Sequence, residues 1–219
     1  MLVTKHPNSD LLIDYASGAL SPALCVSVSS HLHFCATCRD KNQELTGLGG
    51  SLLETAEPAE LTISALDDVL GRLDEIEPPR PFRQVTLAED ENKLPELVKN
   101  LLPDDGPNWK FLSPALRVAR LAVGEDKYEL ALHKIKAGGK TPAHDHDGVE
   151  ITVVLQGSFS DADGIYHEGD FIVREPGDIH RPTASQNNPC ICLSVSEAPI
   201  KLVGPFKRLL NPLFSVTPR

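Results

Sequence analysis

Over roughly the first 75 residues the apolar positions recur with a helical period. Leu11, Leu12 and Tyr15 share one face of a segment from Asp10 to Ala16, which Ser9 can cap and Gly18 can stop. Ser21-Pro22 sets a capping residue before a proline at the first helical position, so a second helix is expected to run toward His33. A third begins around Cys35 and passes through Leu45 and Leu48 before ending at Gly49-Gly50. Beyond a loop containing Pro58, Leu66, Val69, Leu70 and Leu73 form one apolar stripe between acidic positions such as Asp67, Asp68 and Asp74. Such a stripe suits a helix packed on its neighbours or one held out for a partner.

The pattern changes across Glu77-Pro-Pro-Arg-Pro81, a stiff stretch poor in hydrogen-bond donors, and the domain boundary is placed there. A short helix is expected from Leu94 to Leu102. Strands then follow at Arg117–Val123, Tyr128–Lys136, Glu150–Leu155, Gly157–Asp161, Asp170–Val173 and Ile191–Val195. Glycines and prolines interrupt them at short intervals, as in a small antiparallel sandwich or barrel. The expected fold is therefore α+β with two domains: a helical domain over residues 1–78, a proline-rich linker over 79–92 and a metal-binding β domain over 93–219.

Composition adds mainly exclusions. A hydrophobic fraction of 41% is enough for a buried core, which argues against wholesale disorder. No apolar stretch follows the first residues, so no secretory signal is read. The longest clean apolar run, Ile151-Thr-Val-Val-Leu155, is far short of the ~20 residues that span a bilayer. A cytoplasmic protein without a membrane partner is expected, and its five cysteines then suit metal binding or redox sensing better than a disulfide framework. The net charge of −10 opposes direct nucleic-acid binding and favours a basic protein partner.

Two clusters carry the chemistry. In Gly138-Gly-Lys-Thr-Pro-Ala-His144-Asp-His146-Asp-Gly-Val-Glu150, two histidines two residues apart project from the same face of a strand, and Glu150 follows a turn. His180 would supply a fourth donor from a strand brought alongside. Three imidazoles and a carboxylate suit Zn²⁺ or another divalent transition metal. Gly138, His144, His146, Glu150 and Gly157 meet the first motif of the cupins, which this region resembles. The second motif, Gly169-Asp170 with Pro176-Gly177 and His180, departs from the usual spacing. The resemblance implies an antiparallel jelly-roll β-barrel around the four-residue site. His133 and His167 fall outside the pattern and read as ordinary strand or turn positions.

In His31-Leu-His-Phe-Cys35-Ala-Thr-Cys38 the spacing can present His31, Cys35 and Cys38 together at a helix junction. Two thiolates with an imidazole favour zinc. The fourth ligand would be His6, with His33 as the rival. No βαβ pattern supports a thioredoxin-like reading of Cys-x-x-Cys. A nucleic-acid module is disfavoured too, because only Arg39 and Lys41 follow the motif and Asp40 lies between them.

The arrangement resembles the zinc-binding anti-sigma domain, whose upstream histidine and His-x3-Cys-x2-Cys motif correspond to His6, His31, Cys35 and Cys38. Followed by a cupin, it resembles the ChrR family of cytoplasmic anti-sigma factors over nearly the whole chain. That resemblance implies a zinc-stapled helical bundle that holds an extracytoplasmic-function sigma factor one-to-one. It also implies a barrel that answers an oxidative signal such as singlet oxygen or an organic peroxide. The competing class is a metal-dependent cupin dioxygenase or isomerase. Cupins commonly dimerise through barrel edges, which makes a homodimer one form open to the free protein. Cys190-Ile-Cys192 places both sulfurs on one strand face, as a second sensing element or as small buried residues. Such a pair has poor disulfide geometry without rearrangement. Cys25, on an amphipathic helix, reads as packing.

Overall fold

The helical period becomes α1 (Ser9–Ala16), α2 (Pro22–Phe34), α3 (Ala36–Glu54) and α4 (Ala65–Gly71), in a computed structural model that describes residues 3–75, 87, 88, 91 and 93–203. Asn8, not Ser9, caps α1: its side-chain oxygen accepts from the Leu11 amide at 2.9 Å, satisfying one first-turn donor. At the start of α2 the Ala23 amide donates to Glu125 Oε2 at 2.6 Å, placing a carboxylate at the positive end of the helix. The backbone of Cys35 is extended, with φ −103° and ψ 106°, and this break separates α2 from α3. The third helix does not stop at Gly49-Gly50. Nothing approaches the Cβ position of either glycine, so the helix continues to Glu54 at a propensity cost of about 1 kcal/mol per glycine.

The expected helix from Leu94 to Leu102 is a single turn, α5 (Glu96–Lys99), beyond which the amides of Leu101 and Leu102 bond three residues back, to Val98 and Lys99, in tighter turns. The strands are β1 (Lys110–Ser113), β2 (Leu116–Leu121), β3 (Glu129–Ile135), β4 (His144–His146), β5 (Glu150–Gln156) and β6 (Ser158–Ser160). They continue with β7 (Ile165–His167), β8 (Phe171–Arg174), β9 (Thr183–Ala184), β10 (Cys190–Ser196) and β11 (Ile200–Leu202). All pairings are antiparallel, in a six-stranded sheet of order β1-β2-β3-β10-β5-β8, a β7-β6-β9 sheet and a β11-β4 pair. The six predicted strands are all present, with ends shifted by a residue or two. Of the other five, β4 is the strand expected to carry His144 and His146, while β1, β7, β9 and β11 span two to four residues and show no clear period of two.

Two cores lie on opposite faces of the large sheet. Inside the barrel Leu116, Ile135, Val154, Ile172, Cys190 and Cys192 pack with Phe159, Tyr166 and Ala184 of the facing sheet. On the outside Leu130, Leu132, Ile151, Val153, Leu193 and Val195 belong to the same cluster as helix residues Leu12, Ala23, Val28 and Leu32. The N-terminal helices thus cover the outer face of the barrel. The Glu77–Pro81 stretch lies outside the described residues. The α4 stripe takes no part in either core: Leu66 is 68% and Leu73 52% exposed. Among the described residues no helix is long and apolar enough to cross a membrane.

Candidate metal centres

In the barrel, β4 presents His144 and His146, β5 opens with Glu150, and His180 is bridged to His144 by reciprocal backbone hydrogen bonds of 3.1 Å. All four side chains are buried and their ligand atoms lie within 4.8 Å of one another. The Nε2 atom of His180 is 2.9 Å from that of His144 and 3.3 Å from that of His146. His144 Nδ1–H donates to the Pro142 carbonyl at 2.9 Å, which leaves its Nε2 as a lone pair aimed inward. Ser194 Oγ donates to Glu150 Oε1 at 2.8 Å, leaving Oε2 3.4 Å from His146 Nε2. Burial and the neighbouring His144 push the His180 pKa down to about 4, so protons do not relieve this crowding at neutral pH. One cation accepting all four donors does, and the residues fit a divalent transition metal.

A cavity of about 340 Å³ opens on this cluster. Its walls include Leu116, Val118, Phe159 and Ile172, with His133 among them. Sequence context gave His133 no role; in the barrel it stands in the cavity wall, where burial lowers its pKa.

The second cluster joins His6, His31, Cys35 and Cys38. His6 Nδ1 lies 3.4 Å from each sulfur. The rival, His33, is solvent-exposed, is not part of the cluster, and its ring packs edge-on against Phe34. His31 is fully buried; its Nδ1–H donates to the Gly169 carbonyl at 2.6 Å, and its Nε2 has no hydrogen-bond partner. Burial and the Cys35 thiol push the Cys38 pKa up to about 12, so without a cation the Cys38 sulfur is held as a thiol. An orphaned buried nitrogen beside two sulfurs and an imidazole fits a zinc-type ion, which favours the thiolates by its own charge.

The groups that orient these donors, the carbonyls of Pro142 and Gly169 and the Ser194 hydroxyl, were not found from sequence. Backbone carbonyls carry no sequence signal, and Ser194 reaches Glu150 only across the β5–β10 ladder.

Fold and clusters together define a cupin-type barrel covered by a helical module with a His/Cys cluster that could hold a metal ion. Residues 102–199 match the family model described as the ChrR cupin-like domain. Over 217 residues, 99% of this chain and 100% of the relative, the sequence is 33% identical to the anti-sigma-E factor ChrR of Cereibacter sphaeroides. The crystal structure of Rhodobacter sphaeroides SigE in complex with the anti-sigma ChrR matches with a TM-score of 0.75 at 31% identity, covering 89% of this chain and 99% of that one. The chain belongs to the ChrR family of anti-sigma factors. These relatives are regulators, and the dioxygenase or isomerase reading that the barrel alone allowed gives way.

Proposed function

We propose that this chain binds an extracytoplasmic-function sigma factor one-to-one in the cytoplasm, inhibits it, and releases it on an oxidative signal such as singlet oxygen or an organic peroxide. The observation that carries this is the α4 stripe. Leu66, Val69, Leu70 and Leu73 are exposed, and Leu48, Leu52 and Leu53 at the end of α3 are exposed too. Clustered exposed apolar side chains of this kind suit a partner site, and the full-length relatives are anti-sigma factors.

In this reading residues 1–78 hold the sigma factor, 79–92 link, and 93–219 receive the signal. His6, His31, Cys35 and Cys38 hold zinc, because two thiolates select it over harder cations. The ion closes the α2–α3 junction and so sets the direction in which α3 leaves. His144, His146, Glu150 and His180 hold zinc or another divalent transition metal beneath the cavity.

Co-expression with the sigma factor encoded beside this chain should yield a co-purifying pair. Absence of any such pair would sink the proposal. Replacing Cys35 or Cys38 by serine should abolish inhibition. His144→Ala or Glu150→Gln should leave binding intact and blunt release by oxidant.

A further inference from the structure

The turn between β7 and β8 belongs to the barrel, yet it touches His31 of the N-terminal cluster and the segment that carries His6. The Gly169 carbonyl accepts from His31 Nδ1–H at 2.6 Å. The Phe171 ring stands edge-on to the His31 ring, with centroids 5.8 Å apart. Between them Asp170, fully buried, divides its carboxylate. Oδ2 accepts from the His167 amide at 2.8 Å and closes the turn. Oδ1 accepts from the Thr4 and Lys5 amides at 2.7 and 2.9 Å, and the Phe171 amide donates to the Lys5 carbonyl at 3.0 Å.

Lys5 immediately precedes His6. One three-residue turn therefore orients the His31 ring directly and anchors the backbone that delivers His6. The fit is close. Gly169 has φ +91°, and a Cβ there would sit 2.6 Å from Phe34 Cβ and 2.7 Å from Val3 Cγ2, one on α2 and one on the N-terminal segment. The turn is itself tied to β5 through Gly169 N to Val154 O at 2.8 Å and Val154 N to Asp170 O at 3.1 Å.

We propose that Asp170 and Phe171 are positioning residues for the N-terminal metal site, so that the barrel sets how tightly His6, His31, Cys35 and Cys38 hold their ion. This rests on the metal reading of that cluster. A metal-binding histidine is held by the partner of its other ring nitrogen, and loss of such partners typically weakens binding tenfold to a hundredfold. Here that partner comes from the other half of the chain. Disturbing the barrel end of β8 would then loosen the N-terminal metal with no change in its ligands.

The test uses the full-length chain loaded with cobalt(II). Thiolate-to-cobalt charge transfer reports the Cys35–Cys38 site alone, because the barrel cluster has no sulfur among its four residues; total metal per chain reports both sites. Asp170→Asn exposes the Thr4 and Lys5 amides, or the His167 amide, to an N–H instead of an oxygen. Phe171→Leu removes the ring beside His31 and keeps an apolar side chain in the core. In chelator competition each variant should lose charge transfer at about a tenfold lower chelator concentration than wild type, the low end for losing a ligand's own partner because the Gly169 carbonyl stays in place, with the barrel metal retained. Unchanged competition in both variants overturns the proposal. So does parallel loss of both metals, which would make the turn a general support of the fold. A wild-type chain without charge transfer would instead overturn the metal reading of the cluster.

Discussion

The Nε2 atoms of His144 and His180 face each other at 2.9 Å in a buried site, and the Nδ1 of His144 already donates its hydrogen to Pro142. The His144 lone pair therefore points at its neighbour. Either His180 donates an Nε2 proton to it, leaving His146 Nε2 only Glu150 Oε2 at 3.4 Å, or a cation takes all three lone pairs. Glu150 supplies an anionic donor beside the imidazoles, which suits a divalent ion.

His180→Ala should consequently lower the metal content from two ions per chain to one, with the remaining ion on the His/Cys cluster. Elemental analysis of the purified variant checks this. Two ions in His180→Ala would remove His180 from the ligand set. In the wild type, free metal at a thousandfold its dissociation constant stabilises by about 4 kcal/mol, so stripping the barrel metal should lower the melting temperature by several degrees.

A second expectation concerns cooperativity. Leu193 is fully buried on the outer face of β10, in the cluster that contains Val28 and Leu32 of α2. Leu193→Ala should cost about 2–5 kcal/mol. Helices and barrel should also melt together. The single tryptophan, Trp109, lies beside Lys134 of β3, with its indole N–H donating to Glu91, and so reports the barrel. Far-ultraviolet dichroism, dominated by the helices, and Trp109 fluorescence should give coincident transitions. Separate midpoints would show that the shared core does not couple the two parts.

That shared core marks how far the sequence could be read. His144, His146 and Glu150 were legible because their spacing is local, and the same holds for His31, Cys35 and Cys38. His6 and His180 join their clusters from far along the chain, and their place rested on resemblance to known motifs. The packing of α2 on the sheet has a signal in the sequence. Ile151–Leu155 is apolar at nearly every position, and a strand apolar on both faces needs cover on its outer side. The helices with apolar faces were the elements at hand to provide it. Asn8 as the cap of α1 and the run of α3 past Gly49-Gly50 are not legible in the sequence, because several polar residues can cap and exposed glycines weaken a helix without ending it.

The cysteines should differ in reactivity by position. Cys190 and Cys192 are buried in the barrel with their sulfurs 3.6 Å apart, and the Cys190 thiol and burial push the Cys192 pKa upward. Thiols held protonated out of solvent are poor nucleophiles. Brief alkylation of the folded chain at neutral pH should leave both unmodified, whereas denaturant should expose both. Modification at the rate of an exposed thiol would show that the barrel opens readily.

The strongest separation of binding from folding comes from α4. Val69 is 61% and Leu70 52% exposed, so neither supports a core, and surface replacements of this kind change stability by only about 0.5 kcal/mol. If the stripe is where the sigma factor docks, a charge there loses both the apolar contact and the desolvation that made it favourable. Central interface anchors are commonly worth about 2 kcal/mol or more, which is roughly thirtyfold in affinity. Val69→Glu and Leu70→Glu should therefore melt as the wild type does, keep both metals, and lose co-purification with the sigma factor. Replacing Ile165, which is equally exposed on the barrel strand β7, by glutamate should leave the complex intact. Retention of the sigma factor by both α4 variants would place the docking surface elsewhere on the molecule.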